Sequence, residues 1–417
     1  MTTQRKIDLI AKIDELIEAS RADLAADTIK LVDIKSVMGV PLPGAPFGEG
    51  PKQVLDYVLD LGQKEGFYTV DYHVGVVSIA MKDGNPDLGI WLHGDVVPED
   101  DGWNFEPYKA VEYKGCIIGR GATDNKGQLA AIFHLFKIFK TLNIELKYNP
   151  AIYVGSNEES GMKDIVDFLH KYTPPHFSLV PDSGFPVGYG GRGSVKLTLR
   201  TKTPLYGSAS DLRGSMPAKI SQALLEEKLV DERDQYILDF LRSVSFDTAG
   251  SMFQINVNSE SMKRSLTVSV KRINIVCGHV EVLLDIRYPI EITDKTIIER
   301  VAAVCEQKGF LIRVENSSTR PYMLDPESNM IKRLTQIAND VTGDAAEPYI
   351  LGGSTYAHFL PNALVYGTDG NLPPEDFPKD RGRAHGVDEA VSLDRLQRAM
   401  KIYARALLEL NDIDWLM

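Results

Sequence analysis

The sequence predicts an α/β protein with a mostly parallel sheet and an inserted α+β domain. Three observations lead to this prediction. Short apolar runs of strand length alternate with amphipathic stretches of helical length, which is the pattern of a parallel sheet covered by helices. One segment interrupts this alternation with strands and helices in a different order. At 417 residues the chain also exceeds the size at which one hydrophobic core keeps growing, so about two domains are expected.

Residues 1–187 are predicted to form the first part of the parallel-sheet domain. Apolar residues at helical spacing between about Lys6 and Lys35 predict opening helices. A turn-rich stretch from Gly39 to Gly50 follows, and then a helix from Gln53 to Glu65. Beyond it, strands are predicted at Val76 to Met81, Leu88 to Leu92, Ala151 to Val154 and Phe177 to Val180, with a helix at Leu129 to Phe139.

Residues 188–318 are predicted to form the inserted domain, and residues 319–417 to complete the first one. The insertion is read as a strand at Ser194 to Arg200, a helix at Ala218 to Leu229, a polar insertion, strands at Leu266 to Val276 and Val280 to Arg287, a helix at Lys295 to Gln307 and a strand at Leu311 to Glu315. This β-α-β-β-α-β order is ferredoxin-like, and we interpret the segment as a lid. The last part has a helix around Met330 to Val341, a strand at Ala363 to Tyr366 and a closing helix from Ser392 to Leu410.

The composition argues against several classes of partner. The 46 Lys and Arg residues against 58 Asp and Glu residues give a net charge of -12, and no basic stripe suits nucleic acid or an anionic membrane surface. Charged residues interrupt the N-terminal apolar positions, and no run approaches the ~20 apolar residues of a membrane span. Cys116, Cys277 and Cys305 are too few and too widely spaced for a disulfide framework or a thiolate metal site. These features predict a cytoplasmic protein.

A histidine ends one predicted strand, and a carboxylate follows two residues later. These residues are His93 and Asp95. A metal-binding imidazole usually donates its second N–H to an acceptor that fixes its tautomer, and Asp95 is placed to be that acceptor. Alone, such a segment is more often a polar turn, so its meaning depends on the rest of the chain.

Asp124 lies in the glycine-rich segment from Gly119 to Gly127, directly before a predicted helix. At this junction its carboxylate could reach inward and bridge two cations. An N-cap is the commoner use of an aspartate in this position, and the local pattern leaves both open. His134, inside the helix, is interpreted as structural.

Two adjacent acids, Glu158 and Glu159, follow one predicted strand, and Asp182 follows another. Neighbouring acids can divide the work of hydrolysis, one binding a metal and the other accepting a proton from the water that the metal activates. A solvated acidic turn is the alternative for each segment taken alone. Because the carboxyl ends of parallel strands share one edge of a sheet, we expect these acids to converge with His93, and His385 could join them. The combination predicts a metal-dependent hydrolase.

Two glycine-rich segments are also informative. Gly188-Tyr-Gly-Gly-Arg-Gly193 matches the dinucleotide-binding pattern formally, but a strand follows it where that pattern requires a helix, so we interpret it as the hinge into the lid. Leu351-Gly-Gly-Ser-Thr355 precedes a short predicted helix, and its backbone N–H groups could hold a carboxylate. A plain tight turn is the alternative for this second segment.

Together these segments resemble the di-zinc exopeptidase and deacylase family that includes carboxypeptidase G, aminoacylase, succinyl-diaminopimelate desuccinylase and carnosinase. The stretch from His93-Gly-Asp-Val-Val-Pro98 to Gly-Arg-Gly-Ala-Thr-Asp124-Asn-Lys-Gly127 looks most like the bacterial PepV-type dipeptidases, and Gly352-Gly-Ser-Thr-Tyr-Ala357 is similar to their substrate loop. The resemblance covers essentially the whole chain. It implies a catalytic domain with a ferredoxin-like lid that closes over the substrate and in some relatives mediates homodimerisation.

The resemblance also implies a role for each site residue. His93 and Asp182 would bind one zinc ion, Glu159 and His385 the other, and Asp124 would bridge them. Glu158 would be the general base, and Asp95 would orient His93. A cis peptide is expected between Asp124 and Asn125. The candidate substrate-binding residues are Arg213, Asn274, Arg287, Gly353, Ser354 and His358.

Two positions depart from the family pattern. Relatives commonly have a lid histidine that donates to the developing oxyanion, where this chain has Arg213. A guanidinium also donates hydrogen bonds, although its reach and permanent charge differ from those of imidazole. His358 stands where the dipeptidase pattern has an arginine for the substrate carboxylate, and an imidazole offers a carboxylate one nitrogen at a time. This second departure leaves the choice of substrate open.

The leading interpretation is a dipeptidase in which a metal-bound hydroxide, formed with the help of Glu158, attacks a carbonyl that the metal polarises. An N-acyl-amino-acid amidohydrolase, such as a desuccinylase or deacetylase, would use the same metals on a different amide. A catalytically weakened member that binds peptide or metal is the third interpretation. The ligand types suit two Zn²⁺ ions but also accept Mn²⁺ or Co²⁺.

Overall fold

The computed structural model describes residues 3–202, 232–315, 318–368, 377–378 and 380–412. Its helices are α1 (Thr3–Ala19), α2 (Arg21–Asp33), α3 (Glu49–Lys64), α4 (Gly127–Thr141), α5 (Lys163–Lys171), α6 (Glu232–Phe246), α7 (Asp294–Gln307), α8 (Asn329–Thr342) and α9 (Leu393–Leu410). Its strands are β1 (Tyr68–Asp71), β2 (Val76–Ala80), β3 (Leu88–His93), β4 (Val111–Tyr113), β5 (Cys116–Ile118), β6 (Pro150–Gly155), β7 (Phe177–Val180), β8 (Gly188–Gly191), β9 (Gly193–Thr201), β10 (Thr267–Val276), β11 (His279–Tyr288), β12 (Phe310–Val314), β13 (Tyr322–Met323), β14 (Tyr349–Leu351), β15 (Ala363–Val365) and β16 (Ala390–Ser392).

The first of two compact units comprises Met1–Tyr189, Leu324–Tyr349 and Thr355–Met417. Its sheet has the strand order β1-β2-β6-β3-β7-β15-β8. The central pairs β6–β3, β3–β7 and β7–β15 are parallel, whereas β1 pairs with β2, β2 with β6 and β15 with β8 in antiparallel fashion. Every residue of β3, β6 and β7 is buried, as expected for parallel strands covered on both faces. The predicted mostly parallel sheet is confirmed at its centre, and the antiparallel pairs lie towards its edges.

Helices and aromatic side chains complete the core of this unit. Helix α4 is buried on nearly all sides and packs with α1, α2 and α9. On the sheet, Trp91 stacks on Tyr153 with their ring centroids 4.3 Å apart, and Phe168 of α5 meets Trp91 edge-on at 5.2 Å. Among the described residues, no helix combines the length and the apolar character that a membrane crossing requires.

A small three-stranded sheet in the same unit was not predicted. Its order is β16-β5-β4, and each of its strands has three residues. The antiparallel register places Ala390 opposite Ile118 and Ser392 opposite Cys116. Runs this short lack a readable period, which is why the alternation of apolar residues did not reveal them. The four-residue strand β1 was missed for the same reason, and helix α5 was also not predicted.

The second unit comprises Gly190–Met323 and Ile350–Ser354. Its four-stranded sheet has the order β10-β11-β9-β12, and all of its pairs are antiparallel. One buried core joins the sheet to both helices, with contributions that include Leu197 of β9, Ile237 and Phe240 of α6, and Ile297 and Val301 of α7. The second unit is thus an α+β layer in its own right.

The predicted strands and the second predicted helix of this unit are confirmed, whereas the predicted helix at Ala218 to Leu229 lies outside the described residues. Part of the segment predicted to be a polar insertion forms α6. This helix buries Ile237, Phe240, Leu241 and Val244 at helical spacing. These apolar residues form a helical stripe in the sequence, but the many charged residues around them made the segment look like a polar loop. The glycine-rich segment predicted to be a hinge forms β8 and the start of β9.

Candidate active site

Three neighbouring parallel strands deliver histidine and carboxylate side chains to one edge of the sheet. His93 is the last residue of β3, Glu158 and Glu159 follow the end of β6, and Asp182 follows the end of β7. These strands are adjacent in the order β6-β3-β7 and run in the same direction. The parallel pairing therefore produces the convergence that the strand ends predicted.

Asp124 and His385 join this group from two loops. Asp124 lies in the turn before α4, with an extended backbone (φ -142°, ψ 88°), and the Asp124–Asn125 peptide is cis, as the family resemblance implies. Its Oδ1 lies 3.0 Å from His93 Nε2, and its Oδ2 lies 3.3 Å from His385 Nε2. His385 Nε2 is also 2.8 Å from Glu159 Oε1. The aspartate is therefore positioned between two imidazoles and does not cap α4.

The donor atoms are spaced as a metal site requires. Ligand atoms of His93, Asp124 and Glu159 lie within 4.8 Å of one another, and so do those of His93, Glu158 and Asp182. Glu158 Oε1 is buried and has no hydrogen-bond partner among the described residues. Imidazole nitrogens and carboxylate oxygens are the ligands that Zn²⁺ and similar divalent ions bind. The residues present thus fit divalent cations.

Crowding of the acids perturbs their protonation. Burial, together with the charge of Asp182, raises the pKa of Glu158 well above its usual value. Burial, together with the charge of Asp124, does the same to the pKa of Asp182. Although burial opposes it, hydrogen bonds from His385 and His93 hold the pKa of Asp124 below its usual value. Several buried and half-buried carboxylates at such close range call for compensating positive charge.

Comparison with known proteins identifies this arrangement. Residues 90–409 match the family described as Peptidase family M20/M25/M40. The chain belongs to this family. It is accordingly a metal-dependent peptidase, an enzyme that hydrolyses amide bonds, and the matched range contains every metal-ligand candidate named above.

Relatives of this peptidase cover nearly its full length. The protein named "Putative dipeptidase YtjP" of Bacillus subtilis (strain 168) is 27% identical over 463 aligned positions, covering 94% of this chain and 97% of the relative. The fold is similar to that of the dipeptidase Dug1p of Saccharomyces cerevisiae, with a TM-score of 0.70 at 16% identity and coverage of 97% and 99%. Human carnosine dipeptidase 1 gives a TM-score of 0.66 at 16% identity, with coverage of 97% and 100%.

Asp95 in this peptidase contacts both the histidine and the acidic loop. Its backbone carbonyl accepts from His93 Nδ1 at 3.0 Å, and its carboxylate oxygen lies 3.6 Å from the same nitrogen. With a cation bound, a neutral His93 that donates through Nδ1 would present the lone pair of Nε2 to that cation. The Asp95 carboxylate also accepts the backbone N–H groups of Glu158 and Glu159, each at 3.1 Å. This second contact was not expected from the sequence.

Asn125 joins two loops of the peptidase site, a role that was not predicted from the sequence. Asn125 Nδ2 donates to the carbonyl of Pro181 at 2.8 Å, which ties the Asp124 turn to the residue before Asp182. Because the Asn125 side chain binds a backbone group of a distant segment, its role leaves no pattern in the local sequence.

Asp164 supports the loop that carries the two glutamates. Its Oδ2 accepts the N–H groups of Ser156 (2.7 Å) and Asn157 (2.9 Å) and the hydroxyl of Tyr356 (2.5 Å). Burial raises the pKa of Asp164 to about 6. At Gly155, the end of β6, a side chain would overlap the Tyr356 hydroxyl and the Asp164 carboxylate. The close approach explains why glycine stands at this position.

The substrate-binding candidates are dispersed. In the second unit, Arg287 Nη1 donates to Ser354 Oγ at 2.8 Å, and Arg287 Nε lies 3.2 Å from Asp285 Oδ1. Asn274 lies opposite Glu281 in the β10–β11 hairpin, six residues along β11 from Arg287. At the usual rise this separates the two by roughly 20 Å along the strand, so the structure does not bring Asn274 to Arg287.

The remaining candidates lie in or near the glycine-rich substrate-loop segment, or outside the described residues. Gly353 precedes Ser354, and the short helical turn Tyr356–His358 follows, as predicted. His358 is buried in this turn, where its Nδ1 accepts from the Thr355 N–H at 3.2 Å. Arg213 lies outside the described residues. His134, interpreted as structural, is buried and contacts Asp27 Oδ2 at 3.0 Å.

Proposed function

We propose that this peptidase hydrolyses the amide bond of dipeptides, with two divalent metal ions held by His93, Asp124, Glu159, Asp182 and His385. Glu158 is the proposed general base. The observation that carries the proposal concerns this residue: Glu158 Oε1 is buried without a hydrogen-bond partner among the described residues, while its neighbours lie at ligand spacing.

When bound, the ions would lower the pKa of a water molecule and polarise the scissile carbonyl. The protein's own contribution is to move protons. Glu158 takes a proton from the attacking water and delivers it to the leaving amine. Asp95 keeps the backbone of the Glu158 loop in place, and the Asp95 carbonyl selects the tautomer of His93.

For the substrate we propose that Arg287 binds a carboxylate. Its guanidinium is held by Asp285, and Nη1 points to Ser354, whose hydroxyl lies 3.1 Å from Thr319 Oγ1. A planar guanidinium with a neighbouring hydroxyl is well suited to a carboxylate. Gly353, His358, Arg213 and Asn274 stay candidate contacts.

The finer features of the proposal rest on the ligand types, the family resemblance and the composition. Zn²⁺ is the proposed metal because His, Asp and Glu are its usual ligands, with Mn²⁺ and Co²⁺ as substitutes. The lid is the proposed surface for homodimerisation. The cysteine content favours a cytoplasmic location.

A substrate panel tests the proposal. The protein is stripped of metal, reloaded with Zn²⁺, Mn²⁺ or Co²⁺, and assayed on free dipeptides, N-acetyl and N-succinyl amino acids, and dipeptides blocked at the amino terminus. We expect free dipeptides to be cleaved with a kcat in the ordinary range of about 1–10³ s⁻¹ and the acylated amino acids to be poor substrates. Preference for acylated amino acids would assign the chain to the amidohydrolases. Failure to cleave any compound in every metal form would reject the proposal.

A further inference from the structure

A buried ion pair joins two loops that carry candidate metal ligands. Glu389 Oε1 accepts the backbone N–H groups of Thr123 and Asp124, both at 3.0 Å, and Glu389 Oε2 accepts from Arg120 Nη1 at 2.8 Å. The side chains of Arg120 and Glu389 are each 1% exposed. The glutamate therefore holds the turn on which Asp124 lies.

Arg120 holds the second loop. Its Nη2 donates to the carbonyls of His385 (3.3 Å) and Pro98 (3.4 Å), and its Nη1 donates to the carbonyl of Gly386 (3.2 Å). The guanidinium carbon lies 5.1 Å from the centre of the Trp103 ring. One guanidinium thus contacts three backbone carbonyls and an aromatic face, and one of those carbonyls belongs to a candidate ligand.

The small sheet explains how the two residues meet. Ala390 of β16 pairs with Ile118 of β5 in antiparallel register, so the residues after β5 lie beside those before β16. Gly119 N donates to the carbonyl of Glu389 at 2.8 Å at this junction. Arg120 follows directly, and its side chain reaches the carboxylate of Glu389. The sheet brings together loops that are more than 250 residues apart in the sequence.

The exposure and the backbone conformation of His385 explain why its loop needs such support. The side chain is 50% exposed, and the backbone adopts a left-handed conformation (φ 63°) that is unfavourable for residues with a Cβ. Burial therefore does not fix the imidazole. The carbonyl contact from Arg120 fixes the backbone on which the imidazole is mounted.

A fully buried ion pair is a poor device for stability alone. Removing both charges from water carries a large desolvation penalty, and well-packed apolar residues of similar volume often give equal or greater stability. A role in positioning the two loops explains the pair better. Besides binding each other, Glu389 hydrogen-bonds the loop of Asp124, and Arg120 hydrogen-bonds the loop of His385.

We infer that Arg120 and Glu389 are positioning residues that set the separation between Asp124 and His385, and so the affinity and geometry of the metal site these two share with Glu159. The inference rests on the proposed function in one respect, that the cluster binds metal. Partners that orient ligands from outside the coordination sphere typically contribute about 10–100-fold in metal affinity.

Cobalt binding to the full-length protein tests the inference without any substrate. The variants are Arg120→Lys, which keeps the charge but not the fork of donors, and Glu389→Gln, which keeps one acceptor oxygen. Arg405→Lys is the matched control, because Arg405 joins α9 to Asp14 of α1 through two hydrogen bonds (2.9 and 2.7 Å) that involve no ligand candidate. Affinity is measured by Co²⁺ titration of the metal-free proteins, geometry by the visible absorption of the bound Co²⁺, and folding by circular dichroism.

We expect both site variants to fold, to bind one equivalent of Co²⁺ about 10–100-fold more weakly and to show an altered visible spectrum, while Arg405→Lys matches the wild type. Wild-type affinity and spectrum in either folded site variant would overturn the inference. If one site variant does not fold, the other decides. A wild-type protein that binds metal but cleaves no dipeptide would contradict the proposed substrate and leave this comparison intact.

Discussion

Replacing Asp95 by asparagine separates the two contacts that this residue makes. The carboxylate is 1% exposed and accepts one backbone N–H on each oxygen, from Glu158 and from Glu159, both at 3.1 Å. Asparagine has nearly the same shape, and the backbone carbonyl that accepts from His93 is unchanged. The substitution exchanges one acceptor oxygen for an NH₂ group that can only donate.

The size of the effect follows from this mismatch. Whichever way the amide turns, the N–H of one glutamate loses a charged acceptor and faces a donor. A hydrogen bond to a charged group contributes about 1.5–3 kcal/mol. If the lost hydrogen bond raises the activation free energy by this amount, because Glu158 and Glu159 are no longer held in place in the transition state, kcat falls about 10–150-fold. Each 1.36 kcal/mol corresponds to a factor of ten.

The assay is steady-state hydrolysis of the best dipeptide by the metal-loaded Asp95→Asn protein, with metal content and thermal unfolding measured on the same sample. Asp167→Asn is the control, since Asp167 lies on α5 and its carboxylate pairs with the exposed Lys163. We expect the control to stay within about twofold of the wild type, as surface changes usually do. A metal-loaded Asp95→Asn protein with wild-type kcat would refute the reasoning that its carboxylate fixes the acidic loop.

Three further predictions concern the surroundings of the site and the scaffold. Gly155→Ala places a methyl group against the Tyr356 hydroxyl and the Asp164 carboxylate, so urea unfolding should show a loss of about 1–3 kcal/mol, and unchanged stability would contradict the close approach. Tyr356→Phe removes the 2.5 Å hydrogen bond to Asp164 and should cost about 1.5–3 kcal/mol in the same assay; a neutral effect would mean that the bond is dispensable. The hydrogen bond with His134 lowers the pKa of Asp27 from 3.8 to about 2. The stabilisation of the folded protein by the ionised Asp27 should therefore be complete above pH 4 and lost as the pH falls towards 2. Urea unfolding across this range should show that the stability difference between the wild type and Asp27→Asn shrinks with acidification, and a constant difference would argue against the pair.

The sequence predicted the parts of the fold that have continuous apolar runs or a strong helical period. The buried strands β3, β6 and β7 are continuous apolar runs, and helices such as α9 carry long apolar stripes, so both kinds were located to within a few residues. The three-residue strands of the small sheet are too short to show a period. Helix α5 was missed although Ile165 and Phe168 lie at helical spacing on its buried face. Helix α6 has an apolar stripe, but charged residues surround it.

The residues of the candidate site also fall into those that the sequence predicted and those that only the structure shows. The ligand candidates stand at strand ends or beside a glycine-rich turn, and these positions can be recognised from the sequence. Arg120, Asn125 and Glu389 act on backbone groups of distant segments, and only the folded chain shows those contacts. Asp95 illustrates both cases, because its proximity to His93 was predicted while its hold on the glutamate loop was not.

The most direct test of the account is the Glu158→Gln protein, assayed for metal content and dipeptide hydrolysis together. Glu158 lies within ligand distance of His93 and Asp182, so it could be a base or a ligand, and the two roles give different results. As the general base it can be replaced without loss of metal, and we expect two bound ions per chain with kcat reduced about 10²–10⁴-fold. Loss of one metal equivalent, or a kcat close to that of the wild type, would contradict the account.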